Sequence, residues 1–142
     1  MIQTKNIVLL KAKDIMTGDV INVTEGTPIV QAMKLIADNN ITGIPVVDDD
    51  MSLVGILSEK DVLCLIYTPE DEQKTVGDFM TRPPVFVDED ESLLSVCDCL
   101  MNHSFRRIPV TSRGKLVGII TRSDVVREYL RQREQVSAGE NY

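Results

Sequence analysis

Two short stretches of the sequence combine residues that could bind an anion. Ser58 and Thr121 each follow an apolar run, and an aspartate, Asp61 or Asp124, comes three positions later. A hydroxyl at the start of a helix adds a donor to the unpaired N–H groups there, where the helix dipole favours negative charge. An aspartate one turn further along could accept hydrogen bonds from the two hydroxyls of a ribose. Each pair therefore has the chemistry to bind a nucleotide.

The same spacing also fits a helix cap. In a capping box, the hydroxyl accepts a hydrogen bond from the third helical N–H, and the acid at that third position accepts one from the cap residue. The acid is usually Glu or Gln, and we expect the shorter Asp to reach back poorly. The residue types alone leave both interpretations open.

An internal repeat organises the rest of the chain. Three motifs recur at an offset of 63 or 64 residues, namely 14–17 as 78–81, 44–46 as 108–110, and 53–56 as 116–119. A fixed order of motifs that occurs twice indicates two copies of one folding unit. The apolar periodicity of each copy predicts the order β-α-β-β-α, and so an α/β (α+β) fold class. A copy of about sixty residues would be only marginally stable alone, so we expect the two to pack together.

Boundaries follow from these periodicities. The first long helix is expected to have Thr27 as its N-cap and Pro28 as its first residue, and the terminal helices are predicted at 59–66 and 122–133. A polar linker separates the repeats, and the C-terminal residues show no apolar period, which predicts a flexible tail. The predicted segments are an N-terminal extension (1–12), repeat 1 (13–67), a linker (68–74), repeat 2 (75–133) and the tail (134–142).

The recurring motifs resemble a tandem pair of cystathionine-β-synthase (CBS) domains, the Bateman module, over about residues 13–130. The resemblance implies two repeats packed sheet to sheet around a pseudo-twofold axis. It also implies a stand-alone, non-enzymatic regulatory protein that needs no cofactor, dimerises with itself and signals to a partner protein that the sequence does not identify. AMP, ADP or ATP are the expected ligands, with S-adenosylmethionine or NAD as alternatives. A further alternative is a structural module whose clefts stay unoccupied and whose aspartates are only caps.

The resemblance assigns residues to two equivalent clefts. Each takes the hydroxyl and aspartate of one repeat and the lead-in strand of the other. The first cleft would contain Thr121, Arg122, Asp124, Arg106, Arg107, Ile108 and Pro109, with Thr17, Val20 and Ile21 as its wall. The second would contain Ser58, Lys60, Asp61, Thr42, Gly43, Ile44 and Pro45, with Thr81, Pro84, Val85 and Phe86 as its wall.

The two clefts differ in charge. Arg106 and Arg107 stand where the first repeat has Thr42 and Gly43. Because guanidinium groups form strong charge-assisted hydrogen bonds to phosphate, we expect the Thr121–Asp124 cleft to be the stronger phosphate site. The alternative is that both arginines are surface charges that pair with acids such as Asp78 or Glu128.

Other classes of function fit the sequence less well. No group of residues suggests a catalytic centre, and the single histidine, His103, leaves Cys97 and Cys99 without the ligands of a metal site. A net charge of −7 disfavours nucleic-acid binding, although Arg122, Arg127, Arg131 and Arg133 form a basic run. No stretch is long enough for a membrane span, and the apolar run 7–10 is too short for a signal peptide, so we expect a cytoplasmic protein.

One helix suggests how the protein associates. Residues 62–66 are apolar on every side, which implies burial on more than one face. In the family that the chain resembles, such helices form a dimer seam, and we expect a homodimer here. The alternative is that the apolar run 7–10 covers this helix within one chain.

Overall fold

The computed structural model describes residues 7, 9–103 and 106–140, with residues 135–140 described by their backbone alone. The predicted N-terminal extension and C-terminal tail therefore lie partly outside the described residues. Helices and strands are mixed along the chain, which confirms the α+β fold class.

The elements follow the predicted order in each repeat. In the described part of the chain, the helices are α1 (Ala12–Ile15), α2 (Ile29–Asp38), α3 (Glu59–Val62), α4 (Leu93–Asn102) and α5 (Arg122–Glu140). The strands are β1 (Gly43–Val47), β2 (Leu53–Ser58), β3 (Val87–Asp88), β4 (Arg107–Ser112) and β5 (Lys115–Thr121). Short 3-10 helices cover Leu63–Ile66, Pro69–Gln73 and Val76–Asp78. None of the described helices combines the length and the hydropathy that a membrane span requires.

The chain divides into two compact units that do not coincide with the sequence repeats. The first unit contains the described residues up to Val20, then Phe86–Arg113, and the residues from Val117 onward. The second unit contains Ile21–Val85 and Gly114–Leu116. The segment that leads into each repeat therefore packs with the body of the other repeat.

The second unit is built on the β1–β2 hairpin. The two strands are antiparallel, and Gly43 lies opposite Ser58. Val23 forms a parallel bridge with Val46 on the outer side of β1, and Thr81 forms an antiparallel bridge with Ile56 on the outer side of β2. Apolar side chains of α2 and of both strands form the core, including Ile29, Ala32, Ile36, Ile44, Val46 and Leu57.

The first unit has an equivalent arrangement. Its sheet has the order β3-β4-β5, and β3 runs parallel to β4. Arg113 and Gly114 connect β4 to β5 with φ angles of 53° and 80°, the left-handed conformation that two-residue hairpin turns favour. Thr17 pairs with Ile119 on the outer side of β5. The core contains Ala12, Val87, Leu93, Val96, Leu100, Ile108, Val110 and Ile120.

Two predicted helix boundaries were wrong, and one predicted helix changes type before its end. Helix α2 begins at Ile29 with Pro28 as its N-cap, and the Thr27 hydroxyl instead accepts a hydrogen bond from the backbone N–H of Thr24 at 3.1 Å. Helix α3 ends at Val62 and continues as a 3-10 helix to Ile66. Helix α5 runs to Glu140, well past the predicted end at residue 133. The residues after 133 lack an apolar period, and this pattern indicates only that they are not buried. A helix can still continue there, because no proline interrupts the stretch and helix propensity does not depend on burial.

Candidate functional site

Helix α5 begins directly after β5, and its first turn is closed by Thr121 and Asp124. The backbone N–H of Thr121 donates to Oδ2 of Asp124 at 2.8 Å, and the N–H of Asp124 donates to the Thr121 hydroxyl at 3.1 Å. Oδ1 of Asp124 accepts a hydrogen bond from the Arg127 guanidinium at 2.8 Å. The Asp124 side chain is 14% exposed, so its remaining acceptor positions open to solvent only over a small area.

Ser58 and Asp61 form the same structure at the start of α3. The N–H of Ser58 donates to Oδ2 of Asp61 at 2.9 Å, and the N–H of Asp61 donates to the Ser58 hydroxyl at 3.3 Å. No arginine contacts this carboxylate in the described part of the chain. Instead, the Thr81 hydroxyl donates to Oδ1 and Oδ2 of Asp61 at 3.1 and 3.3 Å.

The expectation that aspartate reaches the cap residue poorly was wrong. The same bond occurs twice more, from the N–H of Lys11 to Asp14 at 2.8 Å and from the N–H of Thr75 to Asp78 at 3.0 Å. The bond from Thr75 lowers the pKa of Asp78, because it stabilises the charged carboxylate. Since an ionised carboxylate offers about four acceptor positions, a capping bond leaves room for a ligand. The cap and the ligand site are therefore compatible in Asp61 and Asp124.

The lead-in segments bring a threonine to each box. Thr17 and Ile119 exchange two backbone hydrogen bonds of 2.9 Å, and Thr81 and Ile56 exchange bonds of 2.8 and 3.0 Å. Thr17 thus lies beside β5, opposite Ile119, which precedes Thr121 by two residues. The Thr81 hydroxyl donates a hydrogen bond to Asp61. Within the described residues, the Thr17 hydroxyl forms no corresponding bond to Asp124.

The three predicted arginines of the first unit have different roles. The Arg122 guanidinium donates to the carbonyl oxygens of Leu100 and His103 at 3.2 and 3.3 Å, so it holds the C-terminal end of α4. Its role at the cleft stays a prediction. The backbone carbonyl of Arg106 accepts a bond from the N–H of Arg122 at 3.2 Å, which fixes the start of β4 to the start of α5.

Arg107 carries the more informative side chain. Its Nε atom is buried and has no hydrogen-bond partner among the described residues. Neither Arg106 nor Arg107 forms an ion pair with a described residue, whereas Asp78 accepts bonds from Thr75, and Glu128 pairs with Arg131. Neither arginine thus pairs with an acid among the described residues, and Arg106 is exposed, as the alternative of a surface charge expects. A buried guanidinium nitrogen without an acceptor is costly, and an anionic ligand would satisfy it.

The other predicted residues fall into four groups. Thr42 accepts the N–H of Glu59 at 3.0 Å through its carbonyl, Gly43 opens β1, and Lys60 is exposed on α3. Buried positions in the strands are Ile44, Pro45, Ile108 and Pro109, of which Ile44 and Ile108 belong to the two cores. Val20, Pro84 and Val85 are half-buried. Ile21 and Phe86 each belong to the unit that does not hold the rest of their predicted cleft.

Sequence reasoning missed two features. Arg127 was noted only as part of a basic run, although its spacing of three from Asp124 is the spacing of helical ion pairs. An apolar cavity of about 490 Å³ in the first unit was also missed, and its lining is Cys97, Leu100, Met101, Arg122 and Val125. The second unit has one of about 440 Å³, lined in part by Met33, Ala37 and Leu65. Neither cavity is lined by Asp124 or Asp61.

Metal binding has no support in the described part of the chain. No three or more His, Cys, Asp or Glu residues there are grouped closely enough to hold an ion. Cys97 and Cys99 are half-buried, and burial raises the pKa of both thiols.

Comparison with known proteins places the chain among proteins with similar repeats. A family model described as the CBS domain matches residues 12–67 and 76–131. Protein YlbB of Bacillus subtilis is 40% identical over 119 residues, which cover 82% of this chain and 80% of that protein. Protein MJ1225 of Methanocaldococcus jannaschii is 33% identical over 115 residues, which cover 81% of this chain and 41% of that protein.

Solved structures share the fold. The crystal structure of CBSX2 in complex with AMP matches with a TM-score of 0.78 at 35% identity, over 87% of this chain and 98% of that chain; CBSX2 is a CBS-pair protein from Arabidopsis thaliana. The CBS domain pair of protein MJ0100, in complex with 5′-methylthioadenosine and S-adenosyl-L-methionine, matches with a TM-score of 0.72 at 28% identity. That match covers 84% of this chain and 95% of the other.

Proposed function

Because the chain belongs to the CBS-domain family, we propose that it is a non-enzymatic regulatory module that binds an adenosine-containing ligand beside Asp124. The observation that carries the proposal is the unpartnered Nε of Arg107 in the same unit as the Thr121–Asp124 box. This pairing offers a cation for a phosphate and a carboxylate for a ribose. The AMP complex of CBSX2 and the 5′-methylthioadenosine and S-adenosyl-L-methionine complex of MJ0100 support adenosine as the common part of the ligand.

AMP, ADP and ATP are the proposed ligands of the first unit. A nucleotide phosphate would bind the guanidinium groups of Arg106 and Arg107, which lack carboxylate partners among the described residues. The ribose hydroxyls would donate to the acceptor positions that the cap leaves free on Asp124. The Ser58–Asp61 box is the proposed second site. Ligand binding would then alter the interaction with a partner protein.

A thermal-shift panel of AMP, ADP, ATP, NAD and S-adenosylmethionine tests the proposal. A ligand at one hundred times its Kd stabilises a single site by about 2.7 kcal/mol, which raises the Tm by several degrees for a chain of this size. Asp124→Asn keeps an oxygen for the capping bond from Thr121 but removes the charge and one acceptor. We expect it to abolish most of the shift that AMP causes.

Asp78→Asn is the matched control, because Asp78 accepts the same kind of capping bond from Thr75 but lies outside both proposed sites. It should leave the AMP-induced shift unchanged. If no compound raises the Tm of the native chain, or if Asp124→Asn keeps the full shift, the Thr121–Asp124 box is only a cap and the proposal fails.

We also propose that the protein forms a homodimer through apolar helical surfaces. Leu63, Ile66 and Tyr67 are exposed on the 3-10 helix after α3 and at its end. At an offset of 63, the first unit exposes apolar residues at the equivalent positions, Val126, Tyr129 and Leu130 of α5. Exposed apolar surface of this kind is typical of protein interfaces. In the run 7–10, Ile7 and Leu10 pack against the core of the first unit, and Leu9 is exposed.

A further inference from the structure

Each of the two proposed sites has an aspartate at the equivalent position, but the cations near the two aspartates differ. Asp124 and Asp61 occupy equivalent positions and form the same capping bonds. In contrast, the three arginines of the first unit at positions 106, 107 and 127 have uncharged counterparts, which are Thr42, Gly43 and Cys64. Arg127 differs from the other two because it already contacts the shared aspartate.

The Arg127 guanidinium lies one turn along α5 from the carboxylate that it neutralises. Its Nη2 atom is 2.8 Å from Oδ1 of Asp124. The Arg127 side chain is 70% exposed and the Asp124 side chain 14% exposed, so the cation can shift toward solvent while the carboxylate stays in place. Arg127 is therefore an exposed cation held beside the carboxylate of the proposed site.

The equivalent position of the second unit has no such group. The Cys64 thiol donates to the backbone carbonyl of Asp61 at 3.5 Å, and the Asp61 carboxylate accepts only neutral donors among the described residues. Lys60 is the nearest cation in sequence, but it is exposed and forms no ion pair with a described residue. The negative charge of Asp61 is thus not offset by an ion pair.

We infer that Arg127 is a specificity-determining residue that makes the first unit select a nucleoside phosphate over the uncharged nucleoside. The inference rests on the proposed function. A phosphate that binds near Asp124 is repelled by its negative charge, and a guanidinium on the same carboxylate offsets that repulsion. An uncharged nucleoside experiences no such repulsion and gains little from the cation. Without this cation, the second unit selects the uncharged nucleoside.

Titration calorimetry of AMP and adenosine measures this selectivity in an Asp61→Asn background, where only the first site binds, and at low ionic strength, where charges are screened least. In the Arg127→Gln variant we expect the Kd for AMP to rise about fivefold, the equivalent of one exposed ion pair of roughly 1 kcal/mol. The Kd for adenosine should stay within about twofold, a change well below that of one ion pair. Arg131→Gln is the matched control, since Arg131 pairs with Glu128 on the same helix and outside the site. It should leave both constants unchanged.

The reciprocal substitution is Cys64→Arg, made together with Asp124→Asn so that only the second site binds. We expect the added guanidinium to strengthen AMP binding there about fivefold relative to adenosine, again the equivalent of one ion pair. A purely structural role for Arg127 would weaken AMP and adenosine equally, because distortion of the site does not depend on the phosphate.

The outcomes separate this inference from the proposed function. If the native chain binds AMP, Asp124→Asn abolishes binding at the first site, and Arg127→Gln leaves the ratio of the AMP and adenosine constants unchanged, the inference about Arg127 is wrong and the nucleotide site remains. If the native chain binds neither AMP nor adenosine, both fail together.

Discussion

Met16 packs so closely against Gly118 that a Cβ atom at Gly118 would lie 2.8 Å from Cγ of Met16. The second unit repeats the contact, because a Cβ atom at Gly55 would lie 2.9 Å from Sδ of Met80. The methionine and the glycine of each pair come from different sequence repeats. Their contact holds the lead-in segment against the last strand, and it thereby places Thr17 and Thr81 beside the two capping boxes.

Gly118→Ala should destabilise the protein for this reason. The added methyl group requires Met16 or the backbone of β5 to move, and overpacking of this kind typically costs about 1–3 kcal/mol. Urea denaturation monitored by circular dichroism would show a lower midpoint with an unchanged m value. Gly18→Ala is the control, since apart from its chain neighbours no described residue has an atom within 4 Å of the added Cβ, and φ is not left-handed. Equal midpoints for the two variants would contradict the packing argument.

Strand and motif positions were predictable because they depend on local sequence. The apolar runs around Ile44 and Ile108 gave the paired strands, and the hydroxyl–aspartate spacing gave the starts of α3 and α5. The periodicity of 2 or 3.6 residues that carries such predictions is a property of one element. Periodicity therefore does not predict features that depend on the packing of one element against another.

Side-chain partners show this limit at the site. Arg122 follows Thr121 in sequence, but its guanidinium binds the end of α4, because the carbonyl oxygens of Leu100 and His103 there accept its hydrogen bonds. The sequence of α5 alone does not predict this contact between Arg122 and α4. The buried Nε of Arg107 was likewise invisible, since the burial of one atom depends on the packing around β4.

The cysteines provide a check on burial in both units. Burial raises the pKa of the Cys97 and Cys99 thiols, so a smaller fraction of each is thiolate at pH 8 than for an ordinary cysteine. Cys64 is exposed. Because the thiolate is the nucleophile, iodoacetamide should alkylate Cys64 first. Peptide mass spectrometry over time would measure the three rates.

Unfolding the protein in urea is the control for this experiment, since it removes burial and should bring the three rates together. Faster alkylation of Cys97 or Cys99 than of Cys64 in the folded protein would contradict the described packing of α4.

The dimer surface calls for a substitution that leaves the core of the chain intact. Leu65 is only 8% exposed and packs in the core of the second unit, so Leu65→Glu would unfold the chain whatever its oligomeric state. Ile66 is 77% exposed, and Ile66→Glu adds a charge to the proposed interface without loss of a core contact. We expect the native protein to sediment as a dimer and Ile66→Glu to shift it toward the monomer, with little change in the Tm of the monomer. Tyr129→Glu makes the equivalent change in the first unit, and sedimentation of both variants as native-like dimers would exclude these surfaces as the interface.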